Sequence, residues 1–205
     1  NFGNRYEISS LTNDKVKLIN SLHHRKYRRE HNLFVAEGIR ICREAVENGW
    51  EIRFLLYDNI NADTQKIENL ISDVLCLGAD IIGVTSEILS KISHKENSQN
   101  VLCVICQKWN DLPGIIKDQT FVALETVRDP GNLGTILRTM DGVGATDCIL
   151  LDHSTDPFSY ESVRASMGAI FNVNIIASST KNFLKWKSKH KISLIGTTLI
   201  NANDY

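Results

Sequence analysis

The sequence predicts an α/β protein in which a small N-terminal α/β unit precedes a second unit built on a Rossmann-like, mainly parallel sheet. Three observations predict it. Short apolar runs recur along the chain, separated by amphipathic stretches of helical period. Such alternation suits strands buried on both faces and covered by helices. The stretch from Lys108 to Gln119, with Pro113 and Gly114, lacks a clear period, and the alternation restarts beyond it. The expected division is therefore 1–108, a linker at 109–119, and 120–205.

In the first unit, Val16, Ile19 and Leu22 recur at helical spacing from Asp14, which can cap that helix. A basic stretch, His23 to His31, follows. Then come a strand (33–36), a helix (39–48) ended by Gly49, and a strand (52–57). Helix 64–77, strand 81–84, helix 86–93 and strand 101–107 complete the unit. In the second unit a strand (121–126) runs into a glycine-rich turn and a helix (133–143). Strand 148–151, helix 161–171, strand 173–177, helix 181–190 and a last strand (192–199) follow.

A chain of 205 residues has ample apolar content for a core. Its formal net charge is −1, so any nucleic-acid affinity must come from a local patch. No apolar run approaches the roughly 18 residues of a membrane-spanning helix, and no signal-peptide pattern opens the chain. The five cysteines sit mostly among Val, Ile and Leu, as reduced cytosolic cysteines do, which predicts a cytoplasmic protein. Cys103 and Cys106 form a CxxC, but they lie in an apolar strand pattern. No second CxxC or His pair completes four zinc ligands, so no metal is expected.

The chemistry-bearing segment is Asp129 to Ala145, DPGNLGTILRTMDGVGA, directly after an apolar strand. In open α/β sheets ligands bind beyond the carboxyl ends of the strands. Gly131 and Gly134 allow a tight turn and close approach of a ligand. The following helix offers N–H groups and a positive dipole end to an anion. Leu133, Ile136, Leu137 and Met140 form its core stripe, while Gly134, Arg138 and Asp141 fall on a solvent- or ligand-facing side. Arg138 is expected to reach back along Gly134 toward the Asn132 turn, where a guanidinium can hold a phosphate and orient a ribose. Against this stand blander readings: such turns are common, and a lone arginine is usually an ordinary surface residue. The complete G-x-G-x-x-G of a dinucleotide site and the GK[ST] of a phosphate loop are both missing.

The combination N-L-G-T-I-L-R-T, carrying Asn132, Arg138 and Thr139, resembles the first signature motif of the SpoU/TrmH family of RNA 2′-O-ribose methyltransferases. V-R-D-P-G (127–131) and V-R-A-S-M-G-A (163–169) are similar to that family as well. Arg25, Lys26 and Arg28, with F-V-A-E-G (34–38), resemble its N-terminal substrate-binding domain. The resemblance implies a ribosomal-protein-like α/β domain ahead of a SPOUT domain with a C-terminal trefoil knot. It implies a homodimer that methylates tRNA or rRNA from S-adenosylmethionine. It makes Arg138 and Asn132 the catalytic candidates. Arginine, with a usual pKa of about 12 or above, is a poor base, so orientation of ribose and phosphate is the safer role.

The family's later glycine-rich and S-L-N-type segments, which form the knot and most of the cofactor pocket, are not in this sequence. The favoured expectation is that these residues are part of a longer enzyme. A naturally short, non-catalytic RNA binder is the alternative, and a differently closed fold is disfavoured. Gly196, Thr197 and Leu199 are the candidates for first contacts with the cofactor. Arg25, Lys26, Arg28 and Arg29 around Tyr27 form the basic segment expected to meet RNA, although a solvated helix end would look the same. Arg164 is a further candidate for RNA or the dimer partner, on the polar side of a helix whose apolar stripe is Val163, Met167 and Ile170. Asp152 and His153 have no nucleophile beside them, and Glu125 can equally be structural. A nucleotide-binding oxidoreductase is disfavoured by the incomplete glycine pattern.

Overall fold

A computed structural model of the chain describes residues 3–95, 98–114 and 119–197. The first sheet holds β1 (Arg5–Ile8), β2 (Leu33–Glu37), β3 (Ile52–Asp58), β4 (Asp80–Val84) and β5 (Val101–Cys106), in the order β1-β4-β3-β5-β2. Helices α1 (Asp14–Ser21), α2 (Arg25–His31), α3 (Ile39–Glu47), α4 (Thr64–Cys76) and α5 (Ser86–Ser93) connect and cover it. Asn13, rather than Asp14, caps α1, its side chain accepting from the Lys15 amide.

This sheet is mixed. β1, β4 and β3 run parallel, but β5 lies antiparallel between β3 and β2. β5 is a continuous apolar run buried on both faces, and such a run reports burial without reporting direction. β1 lacks that signal because only Ile8 of its four residues is buried, as suits an edge strand. Cys103 is buried within β5, where burial raises its thiol pKa well above the usual range; Cys106 at the strand end is pushed up to about 11, chiefly by burial. Both behave as packing residues. Among the described residues no cluster of His, Cys, Asp and Glu is placed to hold a metal. No helix among them is long and apolar enough to cross a membrane.

The second sheet is parallel throughout, with β6 (Phe121–Glu125), β7 (Asp147–Leu151) and β8 (Asn174–Ser178) in chain order. Alternate side chains of β7 face opposite ways. Cys148 and Leu150 join the core under α6 (Pro130–Gly142) and α7 (Tyr160–Ser166). Ile149 and Leu151 pack with Phe183 and Trp186 of α8 (Thr180–Lys189). The helix expected over 161–171 breaks. Met167 takes φ 53° and Gly168 φ 99°, and a 3-10 turn, Ala169–Phe171, follows. The exposed Met167 therefore leaves the predicted apolar stripe. The expected strand over 192–199 is not formed through residue 197, and the rest lies outside the described residues.

The two units share a core. Phe34 and Trp50 of the first unit meet Phe158 and Phe171 of the second, with ring centroids 4.9 Å (Phe34–Phe158) and 5.2 Å (Trp50–Phe171) apart. Trp50 Nε1 donates to the Phe171 carbonyl at 3.0 Å. The start of the predicted linker belongs to this contact: Trp109 packs edge-on against Phe158, and the Asn110 amide donates to the Ile175 carbonyl at 2.8 Å.

Candidate active site and RNA-facing surfaces

At the carboxyl end of β6 the chain turns through Thr126, at φ 55°, and enters α6 with Asp129 as its cap and Pro130 in the first turn. Asp129 Oδ1 accepts from the Asn132 amide at 2.6 Å, and its carbonyl accepts from the Leu133 amide at 3.1 Å. Pro130 has no N–H to offer. The helix start is thus capped internally by a carboxylate and is not the open anion site expected of it. Charge recognition here falls to side chains.

Those side chains are available. Asn132 and Arg138 are exposed on the polar face of α6, and neither side chain has a partner among the described residues. Between them, Thr135 Oγ1 donates back to the Gly131 carbonyl and Thr139 Oγ1 to the Thr135 carbonyl, which keeps both hydroxyls on the helix. Gly134 corrects the reading that placed it on the ligand-facing side. It is buried against α7, where an added Cβ would lie 2.5 Å from the Ser162 carbonyl oxygen and 2.6 Å from Ala165 Cβ. Its lack of a side chain serves helix packing, and the route along Gly134 imagined for Arg138 is closed. Ser162 Oγ donates to the Pro130 carbonyl at 2.8 Å, fastening α7 to the start of α6.

The basic segment divides. Arg25, Lys26 and Arg29 of α2 are exposed beside the partly exposed Tyr27, so a cationic face with an aromatic ring is present. Arg28 is not part of it. Its side chain is 5% exposed; Nε and Nη2 donate to Asp156 Oδ2 at 2.9 and 2.7 Å, and Nη1 donates to the Leu22 and His23 carbonyls at 2.7 Å each. The helical period of α2 turns this residue inward, which a count of basic residues does not register.

A second cationic surface lies outside the basic run. Lys181, Lys185 and Lys189 recur every fourth residue along α8, all exposed, opposite the buried Phe183 and Trp186. Their spacing was legible, but interleaved Leu and Trp made the run look like an ordinary amphipathic helix.

Arg164 is exposed on α7 at the mouth of a cleft of about 380 Å³ between the two units. Val35, Ile39, Val163 and Met167 line its apolar part, and Arg40 and Lys95 its polar part. Glu37, at the end of β2, has a side chain only 6% exposed that accepts from Lys95 Nζ and from the Gln99 amide, each at 2.7 Å. Gly38 beside it takes φ 106°, a conformation other residues rarely adopt. The cofactor candidates Gly196 and Thr197 are exposed, with no atom of the described residues within 4 Å of a Cβ built on Gly196. Leu199 lies outside the described residues.

Two families match the chain: the MRM3-like substrate binding domain over residues 13–103 and the SpoU rRNA Methylase family over residues 119–205. The chain is 26% identical over 199 residues to the 23S rRNA (guanosine(2553)-2'-O)-methyltransferase RlmP of Bacillus subtilis (strain 168), covering 97% of this chain and 76% of that protein. It is 29% identical to a 23S rRNA (uridine(2479)-2'-O)-methyltransferase of Streptomyces viridochromogenes, covering 84% of this chain and 60% of that one. Its fold is similar to a crystal structure of an rRNA methyltransferase from Sinorhizobium meliloti, with TM-score 0.84, 38% identity, and coverage of 91% of this chain and 70% of that one. The AdoMet-bound form of that methyltransferase matches with TM-score 0.83.

Proposed function

This chain belongs to the SpoU rRNA methylase family, and on that premise we propose that it forms the RNA-holding and ribose-facing part of an rRNA 2′-O-methyltransferase. The observation that carries the reading is the pair Asn132 and Arg138, both exposed and without a partner among the described residues, on the polar face of α6 at the carboxyl end of β6. Arg138 binds a phosphate next to the target nucleotide, and Asn132 takes a hydrogen bond from, or gives one to, its ribose. Together they hold the 2′-hydroxyl in one orientation, the kind of positioning in which a misplacement of about 1 Å costs about 100-fold in rate. S-adenosylmethionine is the methyl donor, in keeping with the AdoMet-bound relative.

The exposed cations of α2 (Arg25, Lys26 and Arg29) and the lysine row of α8 bind the RNA backbone. The division at 1–108, 109–119 and 120–205, a cytoplasmic location and a homodimer belong to the same proposal. The bacterial relatives favour that location. A non-catalytic RNA binder has no counterpart among the relatives described, all of which are methyltransferases.

The test is transfer of labelled methyl from S-adenosylmethionine to ribosomal RNA by the protein that carries this chain. Arg138→Ala is expected to lower transfer about 100-fold with an unchanged melting temperature. Transfer at the full rate would remove Arg138 from the site.

A further inference from the structure

We infer that the cleft between the two units receives one unstacked, single-stranded nucleotide of the RNA substrate. The inference rests on the RNA-methylating reading and extends it to a recognition site away from α6. The cleft is built from both units: Val35, Ile39 and Arg40 come from the β2–α3 segment, and Tyr160, Val163, Arg164 and Met167 from α7 and its end. An RNA that touches both units therefore crosses it.

The lining carries two chemistries at once. Its apolar wall, with Met167 47% exposed, offers a face to a planar base. Of its three cations, Lys95 is already matched by Glu37 at 2.7 Å. Arg40 and Arg164 are exposed and have no ion-pair partner among the described residues, so the mouth presents uncompensated positive charge. The Tyr160 hydroxyl is buried and has no hydrogen-bond partner among the described residues, a cost that persists unless something at the site satisfies it. A free anion would leave the apolar wall unused, and a purely apolar ligand would leave the arginines unused. A nucleotide within a strand uses both, with its base on the wall and its two flanking phosphates at the arginines. The volume of about 380 Å³ lies near the lower end of small-ligand sites, about 300 Å³. It admits a splayed base and excludes duplex, which is how single-stranded RNA is read.

The experiment measures fluorescence anisotropy of a short single-stranded oligoribonucleotide and of a hairpin of equal length across a salt titration. Arg40→Ala with Arg164→Ala is expected to weaken single-strand binding at least about tenfold. It should also reduce the salt slope by about 1.4, two phosphate contacts at about 0.7 each. Met167→Trp fills the cleft without changing charge and should weaken single-strand binding while leaving the slope alone. All three residues are exposed, so the variants keep the core intact. Thiouridine-labelled single strand is expected to crosslink to the peptide containing Tyr160 and Met167. Wild-type affinity and slope in both variants, with crosslinks elsewhere, overturn the cleft assignment alone. If the unaltered protein binds neither RNA and transfers no methyl group, the methyltransferase reading falls first.

Discussion

Arg28 uses all three guanidinium nitrogens inside the protein, and its partner Asp156 also accepts from the Phe158 amide at 2.9 Å. Removing one member leaves a buried charge without its counterion. Arg28→Ala or Asp156→Asn is expected to cost about 3–5 kcal/mol in denaturant unfolding. Replacing both with apolar residues of similar size should recover much of that loss. Arg29→Ala should do the reverse, lowering RNA affinity with little change in stability. His23 gives a pH-dependent prediction. Burial holds its pKa below the usual value, with the charges of His94 and Arg28 acting in the same direction and the Ile92 carbonyl opposing them. The folded state thus binds fewer protons than the unfolded chain, whose His titrates near about 6.5. The contribution is full above that value and is lost as pH falls through the lower folded one. The urea midpoint should drop between neutral and mildly acidic pH, and His23→Phe should flatten that drop. The exposure of Arg138 was legible from the helical period of its segment, although the same period set the buried Gly134 on that face. The inward turn of Arg28 was not, because its partner lies 128 residues away in sequence.

Close packing between helices explains the glycine of the NLGT motif. α6 and α7 approach so nearly that Gly134→Ala would press a methyl against the Ser162 carbonyl and the Ser166 amide. Backbone cannot retreat as a flexible side chain can, so about 1–3 kcal/mol of destabilisation is expected. Methyl transfer should fall as well, because α6 carries Arg138. Denaturant curves and transfer rates on one variant check both parts, and wild-type stability would show that the helices separate freely. Most elements were legible because apolar period and turn residues mark them: α5 over Ser86–Ser93 has the predicted ends, and β6 begins at Phe121 as expected. What stayed hidden is set by distant contacts. β5 reverses against its neighbours, and α7 stops at Ser166 before a left-handed Met167 and Gly168. Gly168 lies within packing distance of Glu44 in the other unit, 3.2 Å from an added Cβ to Glu44 Cγ. A local pattern cannot show such a meeting.

Across the whole molecule, the aromatic cluster of Phe34, Trp50, Phe158 and Phe171 makes the two sheets one cooperative body rather than beads on a tether. Calorimetry is expected to show a single transition for the chain. Trp50→Ala removes a buried ring and the hydrogen bond to Phe171; it should cost about 3–5 kcal/mol and split or broaden that transition. Two well-separated transitions in the unaltered protein would contradict the shared core. The residues that join the two units lie in both, and each looks in isolation like ordinary core.

A joint of this kind also acts as a gauge. If, as proposed, the cationic face of α2 grips RNA and the Arg138 face of α6 presents a ribose, the core shared by the two units sets the span between those points. An RNA with one nucleotide inserted between those two points would be held as tightly and presented out of reach. Selection of the target would then lie in the spacing along the strand, with the identity of the base left to the pocket that receives it.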